Sequence, residues 1–173
     1  SQKIANPGCF ATCLQLGLLP AAANGLLTKP VQITAITGAT GAGQNPSPTT
    51  HFSWRLSNLS VYKVFTHQHL GEIRQSLDQA AGTEVGELNF VPMRGDFARG
   101  IFASMYMDFE GDVESVKKMY QDFYMDHPFT HVVSQNPFLK QVVNTNKAVV
   151  YVEEMEGKLF IVSMIDNLLK GAS

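Results

Sequence analysis

No stretch of this sequence is rich in lysine or arginine, and its 13 basic residues are nearly matched by 15 acidic ones. The formal net charge of −2 lacks the electrostatic footprint of a nucleic-acid or anionic-membrane binder, which argues against both as partners. No apolar run approaches the roughly 18 residues of a membrane span, and the N-terminus has no charged-then-apolar signal pattern. The chain opens in what reads as the approach to a helix, with no folding element before it. Repeats, low-complexity tracts and linkers are missing. Cysteine is scarce: Cys9 and Cys13 alone, one turn apart on a predicted helix face, a poor setting for a mutual disulfide. No Cys/His spacing matches a zinc site, so no metal is expected. A reducing, cytoplasmic compartment fits this usage best.

What is present suits one domain with a proper core: 173 residues, 45% hydrophobic and 16% charged. Residues 9–27 read as a helix that Pro20 kinks or divides and Asn24-Gly25 ends. Residues 31–37 alternate with β-branched side chains and read as a strand. Residues 38–58 form a Gly-, Pro-, Thr- and Asn-rich irregular stretch, long enough to suggest function or mobility. Further strands are expected at 60–65, 87–93, 99–109, 132–133, 141–144, 148–153 and 159–165, with a hairpin turn at Glu156-Gly157. Helices are expected at 70–81, with Leu70, Ile73 and Leu77 on one face, and at 113–125. The order is not strictly alternating, which predicts an α+β domain with a mixed, mostly antiparallel sheet. Phe97, Phe102 and Tyr106 read as core residues.

The chemistry starts at Asn6-Pro7-Gly8-Cys9-Phe10-Ala11-Thr12, where a cysteine opens a helix after a Pro-Gly turn. Unpaired N–H groups and the helix dipole there favour an anion, hence a thiolate nucleophile. A free cysteine is equally a small buried core residue. A nucleophile needs a base, and His67 and His69 sit at a strand-to-helix junction with Glu72 in reach to orient a ring. The alternative is a polar loop with solvated histidines. His51, His127 and His131 have less to recommend them, although His127 suits a helix end. Arg94 and Arg99 carry the planar fork that clamps carboxylate or phosphate, or else form surface salt bridges. Thr40-Gly41-Ala42-Gly43 can present N–H groups to an oxyanion, but lacks the P-loop ending and the dinucleotide pattern.

In order along the chain, these segments resemble one enzyme family. Asn6 to Thr12 is similar to the active-site motif of N-acetyl-γ-glutamyl-phosphate reductase, the NADPH-dependent enzyme of arginine biosynthesis. Thr40-Gly41-Ala42-Gly43 resembles the family's Ser-Gly-Ala-Gly. His67-Gln68-His69-Leu70-Gly71-Glu72-Ile73 resembles its His-Arg-His-x-Pro-Glu-Ile, with Gln68 for Arg and Gly71 for Pro. Pro92-Met93 with Arg99-Gly100-Ile101, and Asp166-Asn167-Leu168-Leu169-Lys170-Gly171-Ala172, match two further segments.

The resemblance implies the catalytic and dimerisation domain alone, without the family's NADP-binding Rossmann domain. The implied fold is that of the C-terminal domain of glyceraldehyde-3-phosphate and aspartate-semialdehyde dehydrogenases, with helices on one face of the sheet. The implied roles are Cys9 as nucleophile toward an acyl phosphate and His67 as acid/base, with His69 in reserve. Glu72 would orient the imidazole, and Tyr62 would line the substrate pocket. Arg99, or Arg94, would pair with the substrate's carboxylate or phosphate. Thr40, Gly41 and Gly43 would sit near the leaving phosphate, and Asn167 would face the nicotinamide. NADP is the implied cofactor, bound mainly outside this chain, and a homo-oligomer, dimer or tetramer, is the implied assembly. Without that cofactor site the isolated chain is expected to be inactive. Three readings compete with the acetyl-substrate reductase: an N-succinyl variant, a non-catalytic dimerisation unit, and a Cys-His hydrolase.

Overall fold

A computed structural model describes residues 6–171. Ala172 of the last motif and residues 1–5 lie outside the described residues. Seven strands form one mixed sheet in the order β2-β3-β1-β4-β7-β6-β5. They are β1 (Val31–Thr37), β2 (Ser60–Val61), β3 (Leu88–Arg94), β4 (Ile101–Asp108), β5 (Thr130–Val133), β6 (Ala148–Met155) and β7 (Lys158–Ile165). The β1/β3 and β5/β6 pairs are parallel and the rest antiparallel, so the expected mixed, mostly antiparallel α+β sheet is what forms. The helices are α1 (Cys9–Ala23), a short α2 (Phe52–Arg55), α3 (His69–Ala81) and α4 (Val113–Tyr124).

Helix α1 is the centre of the core. Phe10, Ala11, Leu14, Leu18 and Ala21 are all but inaccessible to solvent. A helix apolar on nearly every side belongs between layers, and α1 lies between the sheet and helices α3 and α4. Gly17 permits the close approach to the sheet: a Cβ there would stand 2.4 Å from Met105 Cε. Alongside, the Ser163 hydroxyl donates to the Cys13 carbonyl at 2.7 Å. Pro20 neither divides nor ends α1. Its missing N–H would have bonded the Leu16 carbonyl, and the Tyr124 hydroxyl donates to that carbonyl instead at 2.6 Å. Tyr120 donates to Gly17 O in the same way at 2.7 Å. The helix ends at Ala23 rather than at 27, because Gly25 takes φ +68 and Leu26 N closes back on Ala21 O.

Two other expectations are corrected. The strand expected at 60–65 pairs only over Ser60–Val61, because Lys63 and Phe65 adopt positive φ and lead the chain off the sheet edge. The strand expected at 141–144 is a 3-10 turn (Leu139–Gln141) followed by Asn144 at φ 61. Its Val142 instead caps a second cluster with Val149, Tyr151, Val162 and Met164 on the sheet face away from α1. Phe102 lies half-buried on that face, and Tyr106 is 46% exposed rather than core. The β6–β7 turn at Glu156-Gly157 has φ of 52° and 74°, as a two-residue hairpin requires.

The register sets where a site can form. Thr37 pairs with both Arg94 and Ile101, and Ile101 pairs with Ile165. The end of β1, the end of β3, the start of β4 and the end of β7 therefore share one edge of the sheet. The N-terminus of α1 reaches that edge too, since a Cβ on Gly171 would stand 2.8 Å from Cys9 Cβ.

Candidate active site

Cys9 is the first residue of α1, and Gly8 before it has extended backbone (φ −66, ψ 159) and no side-chain cap. The sequence predicts a thiolate favoured by the helix start. The backbone N–H groups of Phe10 and Cys9 do act that way on the sulfur, and so does the Arg94 charge. Burial is larger and, with the Glu72 carboxylate, holds the thiol above its ordinary value. In this domain Cys9 is therefore a thiol that needs a base. Cys13 is inert by comparison: it is fully buried, and burial pushes it up to about 12. Both thiols are free.

The base candidates part company in the structure. His67 is 4% exposed, and its ring packs edge-on to Phe10, Phe90, Tyr62 and His69. Its Nδ1 accepts the backbone N–H of His69 at 3.2 Å. Burial lowers its pKa to about 4, with His69 and Lys63 adding to the shift, so it is a neutral packing ring at pH 7. His69 opens α3 and lies directly against the cysteine turn. A Cβ on Gly8 would be 2.1 Å from His69 Nε2. His69 Nε2 is 3.9 Å from Glu72 Oε1, and Glu72 also accepts the Gly8 N–H at 3.3 Å. Burial lowers the pKa of His69 too, but Glu72 opposes that shift. Its Nδ1 is buried with no hydrogen-bond partner among the described residues. One carboxylate thus bonds the backbone before Cys9 and lies within ion-pair distance of the His69 ring.

Arg94 ends β3 with its guanidinium 4.6 Å over the ring of Tyr62. Burial raises the Tyr62 hydroxyl to about 12, while Arg94 works against that shift. Arg99 stands apart: its Nη1 lies 3.7 Å from Asp166 Oδ1. Asp166 is fully buried, which alone would raise its pKa; the N–H groups of Leu169, Asn144 and Leu168, with Arg99, lower it on balance. The Thr40 to Gly43 turn is tied down internally. Thr40 N, Gly41 N and Gly43 N donate to the carbonyls of Ala98, Gly38 and Thr40. The Thr40 hydroxyl donates to Ala98 O at 2.6 Å. Asn167 is fully buried; its Nδ2 donates to Thr40 Oγ1 and its Oδ1 accepts Gly100 N–H at 2.7 Å. Asn167 therefore braces the Thr40 turn against Gly100.

The structure thus brings Cys9, Tyr62, His67, His69, Glu72 and Arg94 into one group. Thr40, Gly41, Arg99 and Asn167 form a second group, with Gly43 at the end of their turn. The 166–171 turn joins the two through Gly171. Arg55 lies outside every motif of the sequence, while Gly8, Asp166 and Gly171 lie inside motifs that assign them no role. Their importance lies in close approach and buried hydrogen bonds, which leave no local pattern. Among the described residues no group of three His, Cys, Asp or Glu side chains can hold a metal ion. No helix among them is long and apolar enough to cross a membrane.

The mixed seven-stranded sheet with α1 buried against it has the fold of the C-terminal domain of semialdehyde dehydrogenases. The aspartate semialdehyde dehydrogenase II of Vibrio cholerae has this fold at a TM-score of 0.74 and 14% identity, over 98% of this chain and 58% of that one. A probable aspartate-semialdehyde dehydrogenase from Pseudomonas aeruginosa gives 0.73 and 16%, over 96% of this chain and 57% of that one. Residues 9–167 match the family model described as "Semialdehyde dehydrogenase, dimerisation domain", and the chain belongs to that family. The N-acetyl-gamma-glutamyl-phosphate reductases of Parabacteroides distasonis and Phocaeicola vulgatus are each 54% identical over all 173 residues. That of Bacteroides thetaiotaomicron is 53% identical over the same length. The chain spans about half (54%) of each of these relatives.

Proposed function

We propose that this chain is the acyl-transfer domain of an N-acetyl-γ-glutamyl-phosphate reductase of arginine biosynthesis. The observation that carries the reading is the contact of His69 with Gly8, with Glu72 bridging the two beside Cys9. His69, the more exposed ring and the one paired with a carboxylate, is the acid/base, and His67 is the apolar wall behind it. Neutral His69 takes the Cys9 proton, and Glu72 stabilises the imidazolium that forms. The thiolate attacks the acyl carbonyl, the C–O bond to phosphate breaks, and a Cys9 thioester remains while phosphate leaves with the His69 proton. Arg94, whose charge already acts on Cys9, pairs with the departing phosphate or the substrate carboxylate; Arg99 has Asp166 instead. NADPH would supply the hydride that reduces the thioester, from a site outside residues 6–171. Asn167 keeps one amide N–H and one lone pair beyond its bonds to Thr40 and Gly100, so these bonds leave it able to meet the nicotinamide. Two free thiols suit a reducing cytoplasm.

The family description, a dimerisation domain, supports self-association. The sheet face away from α1, with half-buried Ile36, Met93, Phe102 and Phe160 and exposed Tyr106, is the surface we assign to it. The reductase reading is tested on the full-length protein by phosphate-dependent reduction of NADP with the acylated semialdehyde. Cys9→Ser abolishes that activity; a normal rate in the variant overturns the assignment.

A further inference from the structure

Arg55 ends the short helix α2 inside the long irregular segment, and it is only 5% exposed. Burying a guanidinium is costly unless a counter-charge or a full set of acceptors meets it. Among the described residues no carboxylate lies within ion-pair distance of Arg55. Burial, first, and the neighbouring Arg94 charge lower its pKa, and the Asp96 charge opposes them without reversing the shift. What meets it is a set of neutral oxygens. Nη1 donates to Arg94 O at 2.6 Å and Asn58 O at 3.3 Å. Nη2 donates to Thr49 O at 3.1 Å and Ser60 Oγ at 3.0 Å. The guanidinium also stacks 4.7 Å over Trp54.

Two of these acceptors have a common consequence. Arg94 is the last residue of β3, and fixing its carbonyl fixes the direction in which its side chain leaves the strand. Ser60 pairs with Arg94 across the β2–β3 ladder and lies two residues before Tyr62. Tyr62 is the ring on which the Arg94 guanidinium rests. Arg55 thus holds the Arg94 carbonyl directly and, through Ser60, the strand that leads to Tyr62.

We propose that Arg55 is a positioning residue that holds the Arg94 guanidinium beside Cys9 through the Arg94 carbonyl and Ser60. The proposal rests on the acyl-transfer reading above. It explains why two like charges are kept close at a cost: the planar fork of arginine reaches four oxygens that a lysine cannot reach together.

The test reads the charge around Cys9 directly. Alkylation of Cys9 by iodoacetamide is followed against pH in the full-length reductase, with the modified peptide assigned by mass spectrometry. The groups acting on Cys9 or lying against its turn are His69 and Glu72 from α3, Arg94 from β3, Tyr62 beyond β2, and Cys13 on its own helix. Arg94→Met removes the one cation among them that lowers the thiol, so the alkylation midpoint rises. Arg55→Met raises it in the same direction, and the double variant matches Arg94→Met alone. In steady-state assays Arg55→Met raises KM for the acyl substrate about tenfold, the loss of one well-placed charged contact, with a smaller change in kcat. Arg55→Lys, checked for folding by thermal melting, shifts both in the same direction by less. The proposal is overturned if Arg55→Met and Arg55→Lys leave midpoint and KM at wild-type values, or if the double variant's shift is the sum of the two. Either result with an inactive Cys9→Ser removes the Arg55 proposal alone, whereas an active Cys9→Ser removes the acyl-transfer reading itself.

Discussion

Gly8→Ala puts the geometry of the cysteine turn to a direct test. Gly8 has φ −66 and ψ 159, a conformation alanine adopts freely, so the added methyl brings no backbone strain. Its whole effect falls on the His69 ring. The new Cβ would lie 2.1 Å from Nε2, 2.3 Å from Cε1 and 2.7 Å from Cδ2. Ordinary contact starts near 3.4 Å, so the ring must retreat by about 1.3 Å. Toward His67 it is blocked, with ring centroids 4.5 Å apart, so it must leave the position it holds against the cysteine turn. Glu72 stays on the Gly8 N–H, and the carboxylate–imidazole pair opens. Overpacking of this kind costs about 1–3 kcal/mol of stability, while a displacement of about 1 Å in an acid/base costs about 10²-fold in rate. The expected result for the full-length enzyme is therefore a folded protein with kcat/KM down about 10²-fold. Gly8→Ala combined with His69→Ala recovers the lost stability and is no slower than His69→Ala alone, because both act through one ring. A Gly8→Ala enzyme within about threefold of wild type, well short of the 10²-fold loss, refutes the reasoning. So does a double variant whose losses add.

Two further outcomes follow from other parts of the molecule. His67 is neutral in the fold down to about pH 4 but protonates near 6.5 when unfolded. The unfolded state therefore takes up the proton first, and stability falls as pH drops from about 6.5 to about 4, levelling off below that. Denaturant titrations across that window should lose on the order of 2–3 kcal/mol, and His67→Phe should flatten the slope; an unchanged slope in that variant rejects the assignment. On the open sheet face, Tyr106→Glu places a charge at a half-exposed aromatic within the surface assigned to self-association. Light scattering of the full-length protein should show a lower mass, and an unaltered mass removes that face from the interface.

Particular elements show how far the sequence reaches. Strand β1, helix α3 within one residue, and the β6–β7 turn follow from local pattern, because period-2 or helical burial and turn residues act over a few positions. The strand expected at 141–144 fails because Val142 is buried by a tertiary cluster and not by a ladder. Local pattern predicts that Pro20 kinks or divides α1, and α1 runs through it with Tyr124, far along the chain, supplying the donor that Leu16 O lacks. At the site, residue types and motif order bring out Cys9, the two histidines, Glu72 and the arginines. Which histidine faces the cysteine is not a property of that motif.

The sequence by itself therefore determined the class of fold, the nucleophile candidate and the family resemblance, since each rests on residue identity and short spacing. Tertiary structure alone decided the protonation balance of Cys9, where burial outweighs the helix-start N–H groups that sequence position can reveal. It likewise decided that His69 rather than His67 lies against Gly8, that Arg94 rather than Arg99 acts on the thiol, and that Arg55 grips the strand behind it. Each of these depends on which atoms are within a few ångströms after α1 has been buried against the sheet edge, and desolvation and steric contact act only over those distances.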